Sequence, residues 1–303
     1  RFDVAHADQL NMAQYAERVR GAFKVLDAHN ALWLLYKRLW ETMPRGLRRV
    51  LLGRDWRLLK TYEGRLVREF DAVMAVSEED KEALLVAAGQ PREINVIPIA
   101  IDTHEVTMVR RVPEPNHILH IGTMFWPPNA DGVLWFLREV WPLVRESRPD
   151  VIFDVVGSRP SPEIVAYGEN GSGVNVTGYV ANVGPHLAQA GVFVVPLRAG
   201  GGMRVKILNA LAQGLPIVST TLGAEGIAVM PGRDIMLADE PPDFAAAVLH
   251  LLDDSALADY LRRNGRELAE RAYDYRRACH PLADLFGQTI ADASFGTSGT
   301  CQA

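Results

Sequence analysis

The sequence predicts an α/β protein that contains parallel β-sheets and about two domains, and three observations lead to this fold class. Short apolar runs rich in β-branched residues alternate with helical stretches from residue 118 to about residue 252, which is the pattern of βαβ units. The first hundred residues repeat this rhythm less completely. A chain of 303 residues has room for about two domains of roughly 150 residues each.

Each strand predicted from residue 118 onward is short, rich in β-branched residues and followed by glycine, proline or polar turn residues. Apolar residues recur at helical spacing in the helix expected at 131–146, and Pro127 and Pro128 mark its start. Acidic residues open another helix at residue 78. In chain order, strands are expected at 3–7, 24–28, 72–77, 95–98, 118–121, 152–156, 174–176, 192–196 and 217–219, and helices at 31–40, 56–70, 78–88, 131–146, 244–252 and 256–272.

Changes in composition along the chain predict the domain boundaries. Residues 104–116 contain charges and two prolines without periodicity, so they are the best candidate for an interdomain linker. This divides the chain into an N-terminal domain at 1–103 and a C-terminal domain at 117–275. A C-terminal helix is expected at 276–290, followed by a small, polar and disordered tail at 291–303.

The overall composition excludes several classes of protein. Hydrophobic residues make up 48% of the chain and charged residues 23%, so disorder is not its main state. The net charge of −5 excludes nucleic-acid binding by bulk charge. Cys279 and Cys301 are too few for a disulfide framework or a zinc site, and they weakly favour a reducing compartment. No apolar run reaches the roughly 18 residues of a spanning helix, and no signal peptide is present.

The segment most indicative of function joins a buried strand to a helix that is expected to begin near Met203. Three consecutive glycines connect them, namely Gly200, Gly201 and Gly202. Glycines let a ligand approach the backbone, and the N–H groups of a helix N-terminus favour an anion. Arg204 and Lys206 add two cations to a helix end that is already partly positive. This combination predicts a phosphate site, most simply for a diphosphate; the alternative is a glycine turn with two solvated basic side chains.

Three more loops follow predicted strands and would share one edge of a parallel sheet. They contain Gly122 with Thr123, Gly178 with Tyr179 and Val180, and Glu225. The first loop lets a phosphate or sugar approach, the second offers backbone and a ring to a flat base, and the glutamate offers a carboxylate to sugar hydroxyls. The alternatives are a structural glycine at a strand end, a simple turn with a surface tyrosine, and a solvated turn glutamate.

In the first domain, His29 follows a predicted strand and precedes a helix, where it can supply a hydrogen bond or a charge near neutral pH. Asn30 is expected to cap that helix and to orient the turn. His6 and Asp8 lie similarly after the first strand. A capping or packing role is the alternative for each of these residues.

With these residues, the chain resembles the nucleotide-sugar glycosyltransferases of the GT-B fold, in particular the large retaining family with the "glycosyl transferases group 1" motif. The resemblance covers residues 3 to about 285. It is strongest in IGTMFWPPNADGVLWFL, GYV and VVPLRAGGGMRVKILNALAQGLPIVSTTLGAEGI, with support from VLDAHN and DAVMAVSEEDK. It implies two Rossmann-like domains that face a deep cleft, the C-terminal one holding a nucleoside-diphosphate sugar and the N-terminal one the acceptor.

The resemblance also implies the role of each candidate residue. Gly122 and the three consecutive glycines would approach the diphosphate, and Arg204 and Lys206 would neutralise the charge that develops on it, so that neither a metal nor a cofactor is required. Residues 178–180 would cradle the base, and His29 would lie next to the transferred sugar. Retention of configuration is the usual outcome in this family, with the leaving phosphate assisting the acceptor hydroxyl.

Three features depart from the family pattern. The two glutamates of the family's paired-glutamate motif are replaced here by Gly201 and Asn209. Asn209 can still form hydrogen bonds with ribose hydroxyls, but it carries no charge. The arginine and lysine that many relatives place after the strand at 118–121 are missing, which leaves Arg204 and Lys206 to substitute. The first domain is shorter than usual by roughly 100 residues and lacks its glycine-rich loop, which indicates a fragment, our preferred interpretation, or a degenerate protein.

The leading hypothesis is therefore a glycosyltransferase that moves a hexose-type sugar from a nucleoside diphosphate to a glycan or lipid-linked acceptor, in the cytoplasm or at the inner face of the membrane. A nucleotide-sugar epimerase and a non-catalytic nucleotide-sugar-binding protein are the alternatives. Residues 33–40, with Lys37 and Arg38, would form either a buried packing helix, which is favoured, or a helix on a bilayer surface.

Overall fold

The structure is a computed structural model that describes residues 2–112, 115–169 and 171–295, with side chains through residue 287. The chain forms two compact units. Unit 1 contains Arg1–Ala100, Gly201–Met203 and Tyr275–Ala303, and unit 2 contains Ile101–Gly200 and Arg204–Asp274.

Unit 1 is built on a four-stranded parallel sheet in the order β1-β2-β3-β4. Its strands are β1 (Val4–Asp8), β2 (Phe23–Ala28), β3 (Ala72–Ala75) and β4 (Asn95–Val96). Its first helices are α1 (Ala13–Ala16), α2 (Leu32–Thr42), α3 (Leu47–Glu69) and α4 (Glu78–Ala88), and a 3-10 turn at Leu10–Met12 precedes α1. The structure therefore confirms a parallel βα arrangement in the first hundred residues.

The N-terminus of α2 is held by buried carboxylates rather than by the residue expected to cap it. Ala31 is the N-cap residue, not Asn30 as predicted. The Glu63 carboxylate accepts hydrogen bonds from the backbone N–H groups of Leu32 (2.8 Å) and Trp33 (2.7 Å). Asp80 Oδ1 accepts a further bond of 2.9 Å from the Ala31 N–H. Carboxyl side chains from two other helices thus satisfy the amides that a helix start leaves unpaired.

The interpretation of residues 33–40 as a packing helix holds for the first turn of α2. The Trp33 side chain is buried, and its Nε1–H donates to the Ala83 carbonyl oxygen at 3.2 Å. Leu35 is buried as well. In the described part of the chain, no helix is long and apolar enough to span a bilayer.

Unit 2 contains a six-stranded parallel sheet in the order β10-β9-β8-β5-β6-β7. Its strands are β5 (His117–Ile121), β6 (Ile152–Val156), β7 (Val174–Gly178), β8 (Ala190–Val195), β9 (Ile217–Ser219) and β10 (Met236–Leu237). The chain builds the sheet outward from β5 in one direction and then from β8 in the other. The strand order therefore reverses where β5 and β8 lie side by side.

Helices on the sheet of unit 2 complete the predicted βαβ pattern. They are α5 (Pro127–Trp135), α6 (Trp141–Ser147), α7 (Pro162–Tyr167), α8 (Gly184–Gln189), α9 (Val205–Ala212), α10 (Pro241–Asp253) and α11 (Ser255–Leu268). A π-turn at Phe136–Val140 joins α5 to α6, and another at Ala269–Tyr273 extends α11. Phe136, Phe153 and Phe244 meet in the core, with ring centroids 4.5 and 5.8 Å from that of Phe136.

The chain returns to unit 1 through α12 (Tyr275–Ala278) and α13 (His280–Phe295). Leu282, Leu285 and Phe286 of α13 pack on Val25 and Met74. Neighbouring strand residues such as Leu26 and Val73 point into the core that contains α2, α3 and α4. Because successive side chains of a strand face opposite sides, α13 covers the second face of this sheet.

Several boundaries differ from the sequence-based expectation. Residues of the expected linker at 104–116 bind to unit 2, since the Val109 and Val112 N–H groups donate to backbone carbonyls of residues 213 and 188. The helix expected near Met203 begins at Val205. The helix expected at 276–290 continues to Phe295, and the rest of the expected tail, 296–303, lies outside the described residues.

Candidate functional site

In unit 2, the loops after β5 and β8 leave the sheet at the point where the strand order reverses. Open parallel sheets bind ligands outside the carboxyl ends of their strands at such a point. Gly122 and Thr123 follow β5, and the segment that leads to Gly200 follows β8. The topology thus brings together two of the loops that the sequence analysis selected.

At the ends of β5, β6 and β7, the chain approaches its neighbours closely, and a glycine lies at each of these three ends. The Gly122 N–H donates to the Val156 carbonyl oxygen at 3.0 Å, and the Gly157 N–H donates to the Gly178 carbonyl oxygen at 2.9 Å. A Cβ atom added to Gly157 would lie 1.7 Å from the Gly122 carbonyl oxygen. Sequence reasoning missed Gly157, although a glycine directly after a β-branched run was visible. The result is a sheet edge at which a ligand can meet backbone directly.

Arg204 is buried at the N-cap position of α9, with 8% of its surface exposed. A Cβ atom added to Gly200 would lie 2.5 Å from Arg204 Nη2, so the guanidinium lies directly against the backbone of this glycine. Nη2 also donates to the Leu222 carbonyl oxygen at 3.4 Å, in the turn after β9. Arg204 is therefore held by its own unit at the start of α9, where an anion would be stabilised.

Lys206, in the first turn of α9, lies against the loop after β5. Its Nζ donates to Asn129 Oδ1 at 2.9 Å, and Asn129 Nδ2 donates to the Thr123 carbonyl oxygen at 2.9 Å. A Cβ atom added to Gly122 would lie 2.7 Å from Nζ. Burial and, to a smaller extent, the charge of Arg204 lower the pKa of Lys206 to about 7. Sequence reasoning missed Asn129, whose role depends on a contact 77 residues away along the chain.

His120 supports this corner from inside the sheet. Its side chain is fully buried on β5, and Nδ1 lies 2.9 Å from the Val194 carbonyl oxygen on β8. Burial, together with the nearby charge of Lys206, holds the pKa of His120 well below its usual range. The ring is therefore neutral, with Nδ1–H as the donor to Val194. Its Nε2 is buried without a hydrogen-bond partner among the described residues.

The remaining predicted donor-binding residues of unit 2 lie in accessible positions. Tyr179 is exposed and Val180 is half-buried in the loop after β7. Glu225 is half-buried in the turn after β9, where its N–H donates to the Leu222 carbonyl oxygen at 3.3 Å. Asn209 is half-buried and lies three residues after Lys206, on the same face of α9. Their binding roles stay predictions.

In unit 1, the predicted residue His29 lies in an acidic cluster at the end of β2. Its Nε2 lies 2.9 Å from Asp8 Oδ1 and 3.7 Å from Asp27 Oδ2. Gln9 Nε2 lies 3.4 Å from His29 Nδ1, which fits the tautomer that carries its proton on Nε2. His6 shares Asp27, whose hydrogen bond raises the pKa of His6.

Two further features of unit 1 concern His29. Asp8, Asp27 and His29 each offer a ligand atom within 4.8 Å of the others, a spacing that would also suit a metal ion. The sequence-based expectation that no metal is needed stays a prediction. Gly201 and Gly202 are also part of unit 1, and a Cβ atom added to Gly202 would lie 2.6 Å from the His29 carbonyl oxygen.

Together, these features define an α/β protein with parallel sheets of the Rossmann type, in which glycines and two cations occupy the carboxyl edge at a reversal of strand order. Residues 115–254 match the model of the family "Glycosyl transferases group 1". This match confirms the resemblance found in the sequence. It covers β5 to α10, and hence Gly122, Arg204 and Lys206.

A curated bacterial protein is similar to most of this chain. The chain is 21% identical over 264 residues to an uncharacterised 44.6 kDa protein in the cps region of Klebsiella pneumoniae, covering 84% of this chain. The chain spans only 66% of the length of that relative.

Solved structures share the fold. Sucrose-phosphate synthase from Thermosynechococcus elongatus superposes with a TM-score of 0.74 at 17% identity, covering 96% of this chain and 74% of the synthase. HepE from Anabaena, solved in complex with UDP-glucose, superposes with a TM-score of 0.71 at 16% identity, covering 94% of this chain and 79% of HepE. These neighbours are GT-B glycosyltransferases, and they confirm the predicted α/β fold class.

Proposed function

We propose that this chain is a glycosyltransferase that moves a sugar from a nucleoside diphosphate to a glycan or lipid-linked acceptor. The observation that carries the proposal is the corner formed by Gly122, Gly200, Arg204 and Lys206 in unit 2. Two cations lie at the start of a helix, where the backbone already favours an anion. A bound diphosphate would offset this accumulation of positive charge.

The two cations would contribute differently to the chemistry. Arg204 keeps its charge at all relevant pH values and can offer two parallel N–H donors to a phosphate. Lys206, with its pKa of about 7, gains its proton as the anion arrives. Both would stabilise the departing diphosphate more strongly than the bound sugar ester, because negative charge grows on it as the bond breaks.

The proposed reaction exchanges one bond at the anomeric carbon for another. The bond from this carbon to the diphosphate oxygen breaks, and the bond to the acceptor oxygen forms on the same face, with retention. The proton of the acceptor hydroxyl passes to the departing phosphate, so that no further base is needed. Residues 178–180 would hold the base, Glu225 and Asn209 the sugar hydroxyls of the donor, and His29 the transferred sugar. These roles follow the family resemblance.

The relatives support the substrate class. HepE was solved with UDP-glucose, and the Klebsiella relative is encoded in a cps region, which fits a donor of the nucleoside-diphosphate type and a role in polysaccharide biosynthesis. We therefore propose UDP- and GDP-sugars as the donors to be tested first.

Isothermal titration calorimetry of UDP- and GDP-sugars tests the proposal. The matched control is Arg198→Ala, because Arg198 precedes α9 too but is exposed and paired with Asp131 at 2.6 Å. We expect Arg204→Ala to weaken donor binding at least about tenfold, the typical loss for a charged hydrogen bond, and Arg198→Ala to leave it unchanged. Equal binding by wild type and Arg204→Ala would contradict the phosphate site. An epimerised sugar product formed without an acceptor would instead indicate an epimerase.

A further inference from the structure

The first half of α3 carries an apolar face with no partner among the described residues. Leu47, Val50, Leu51 and Leu58 are exposed by 76%, 68%, 50% and 54% of their surface. Positions 47, 51, 54 and 58 recur at helical spacing, so the three leucines and Arg54 form one stripe. Four large aliphatic side chains exposed together on one helix face indicate an interaction surface, whereas single exposed apolar residues are common on any protein.

The same segment is strongly basic. Residues 45–60 contain six arginine and lysine side chains against one aspartate, a local charge of +5 in a chain whose net charge is −5. Arg48 and Arg54 are exposed, and neither forms an ion pair within the part of the chain that the structure describes. The positive charge on this face is therefore available to a negatively charged partner.

A groove beside the apolar stripe is lined by Trp40 and several arginine side chains, and its surface is almost entirely apolar. It measures about 360 Å³ and is lined by Trp40, Arg45, Gly46, Arg49, Val50, Gly53 and Arg57. The Arg49 guanidinium lies 4.8 Å from the ring centroid of Trp40, and that of Arg57 lies 4.6 Å from the centroid of Trp56. Stacking on fixed rings orients these cations next to the exposed leucines.

We propose that the α3 face, defined as Leu47, Val50, Leu51, Arg54 and Leu58 with the adjacent arginine groove, docks on an anionic phospholipid surface. The aliphatic side chains would enter the interface between headgroups and acyl chains while the arginines bind lipid phosphates. Charge complementarity favours this partner over a second copy of the chain. A symmetric dimer through this face would bring two local charges of +5 together.

This surface differs from the segment that the sequence indicated. For residues 33–40 a bilayer contact was the less favoured alternative, and Trp33 and Leu35 are buried in unit 1. The exposed apolar stripe lies on the next helix. The proposal is independent of the proposed sugar transfer, because none of its residues lies in the predicted donor site.

Vesicle co-sedimentation tests the proposal, with phosphatidylcholine vesicles prepared with and without phosphatidylglycerol, at low and high salt. We expect binding only to the anionic vesicles, and weaker binding at high salt. Arg48→Glu/Arg54→Glu should weaken binding at least about a hundredfold, since each lost positive charge weakens it about fivefold and reversal adds repulsion. Leu51→Ser/Leu58→Ser should weaken it at least about tenfold.

The controls match these changes elsewhere on unit 1. Val86→Ser removes a side chain exposed by 58% on α4, and Arg18→Glu/Arg20→Glu reverses two exposed charges. Both controls should bind like wild type, and all variants should keep the circular dichroism spectrum and the donor affinity of wild type. Equal binding to neutral and anionic vesicles, or test variants that bind like the controls, would overturn the proposal. A dimer that the leucine variant abolishes, without vesicle binding by wild type, would assign this face to a protein partner instead.

Discussion

Two helices of this molecule, α2 and α9, each begin in a turn after a strand, but the side chains at their N-termini have opposite chemical character. In unit 1, the N-terminus of α2 is filled by the protein's own carboxyl groups, those of Glu63 and Asp80. In unit 2, α9 begins with the cations Arg204 and Lys206 behind a glycine loop. A helix N-terminus attracts negative charge in both cases. The amides of the first turn are satisfied by these carboxyl groups, whereas the second turn carries two basic side chains, an arrangement that is suited to an external anion.

The largest expected effect comes from removing the Glu63 carboxyl group from the N-terminus of α2. Glu63→Ala would leave the N–H groups of Leu32 and Trp33 buried without acceptors, and each such group costs about 1–3 kcal/mol. We expect the free energy of unfolding to fall by about 3 kcal/mol, as measured by urea denaturation. Glu82→Ala, at an exposed position of α4, should change it by less than about 0.5 kcal/mol. A Glu63→Ala variant as stable as the control would contradict the claim that Glu63 stabilises the N-terminus of α2.

A related effect is the pH dependence that Glu63 imposes on stability. Burial raises the pKa of its carboxyl group from 4.5 to about 7. The native state therefore holds this proton more tightly than the unfolded state, so this group stabilises the fold most below about pH 4.5 and loses that contribution as the pH rises to about 7. The change should approach about 3 kcal/mol. It is measured as the difference in unfolding free energy between wild type and Glu63→Gln across this range, and a constant difference would contradict it.

Binding of an external anion at α9 should also depend on pH, here through a basic group and not an acidic one. Lys206 has a pKa of about 7 without ligand, and a bound diphosphate should raise it. UDP binding then requires proton uptake above pH 7, so the affinity should fall by up to about tenfold per pH unit. Calorimetry in buffers of different ionisation enthalpy measures this uptake. In Lys206→Met the uptake should be abolished, and its persistence there would assign it to another group.

The smallest expected effect concerns the residue that positions Lys206. Asn129→Ala removes the acceptor of the Nζ hydrogen bond and the donor to the Thr123 carbonyl oxygen. We expect UDP to bind about fivefold more weakly, the loss typical of one hydrogen bond. Asn264→Ala, which removes a local bond to the Tyr260 carbonyl oxygen on α11, serves as the control and should bind like wild type.

The sequence predicted the elements whose causes are local. The strands at Ile152–Val156 and Ile217–Ser219 and the helix at Glu78–Ala88 have the predicted bounds. Buried β-branched runs determine the strands. The helix begins after Ser77, whose side chain accepts from the Asp80 N–H, and ends at Gly89 in the left-handed conformation. Such caps are readable from a few adjacent residues.

The features that were missed depend on contacts distant in sequence or on very short elements. Glu63 caps a helix about 30 residues away, and Asn129 meets Lys206 across 77 positions. The six-residue helices α7 and α8 are too short for a periodic pattern. The candidate site was found in part because its glycines and cations are adjacent in the chain, whereas the side chains that hold them come from other strands and helices.

The most direct test of the account is the pKa of the Lys206 ammonium group, followed by ¹H–¹⁵N NMR with and without UDP. If an external diphosphate completes the start of α9, the pKa of about 7 in the free protein should rise above about 9 in the complex. A pKa that remains at about 7 at saturating UDP would contradict the account, because the anion would then bind elsewhere.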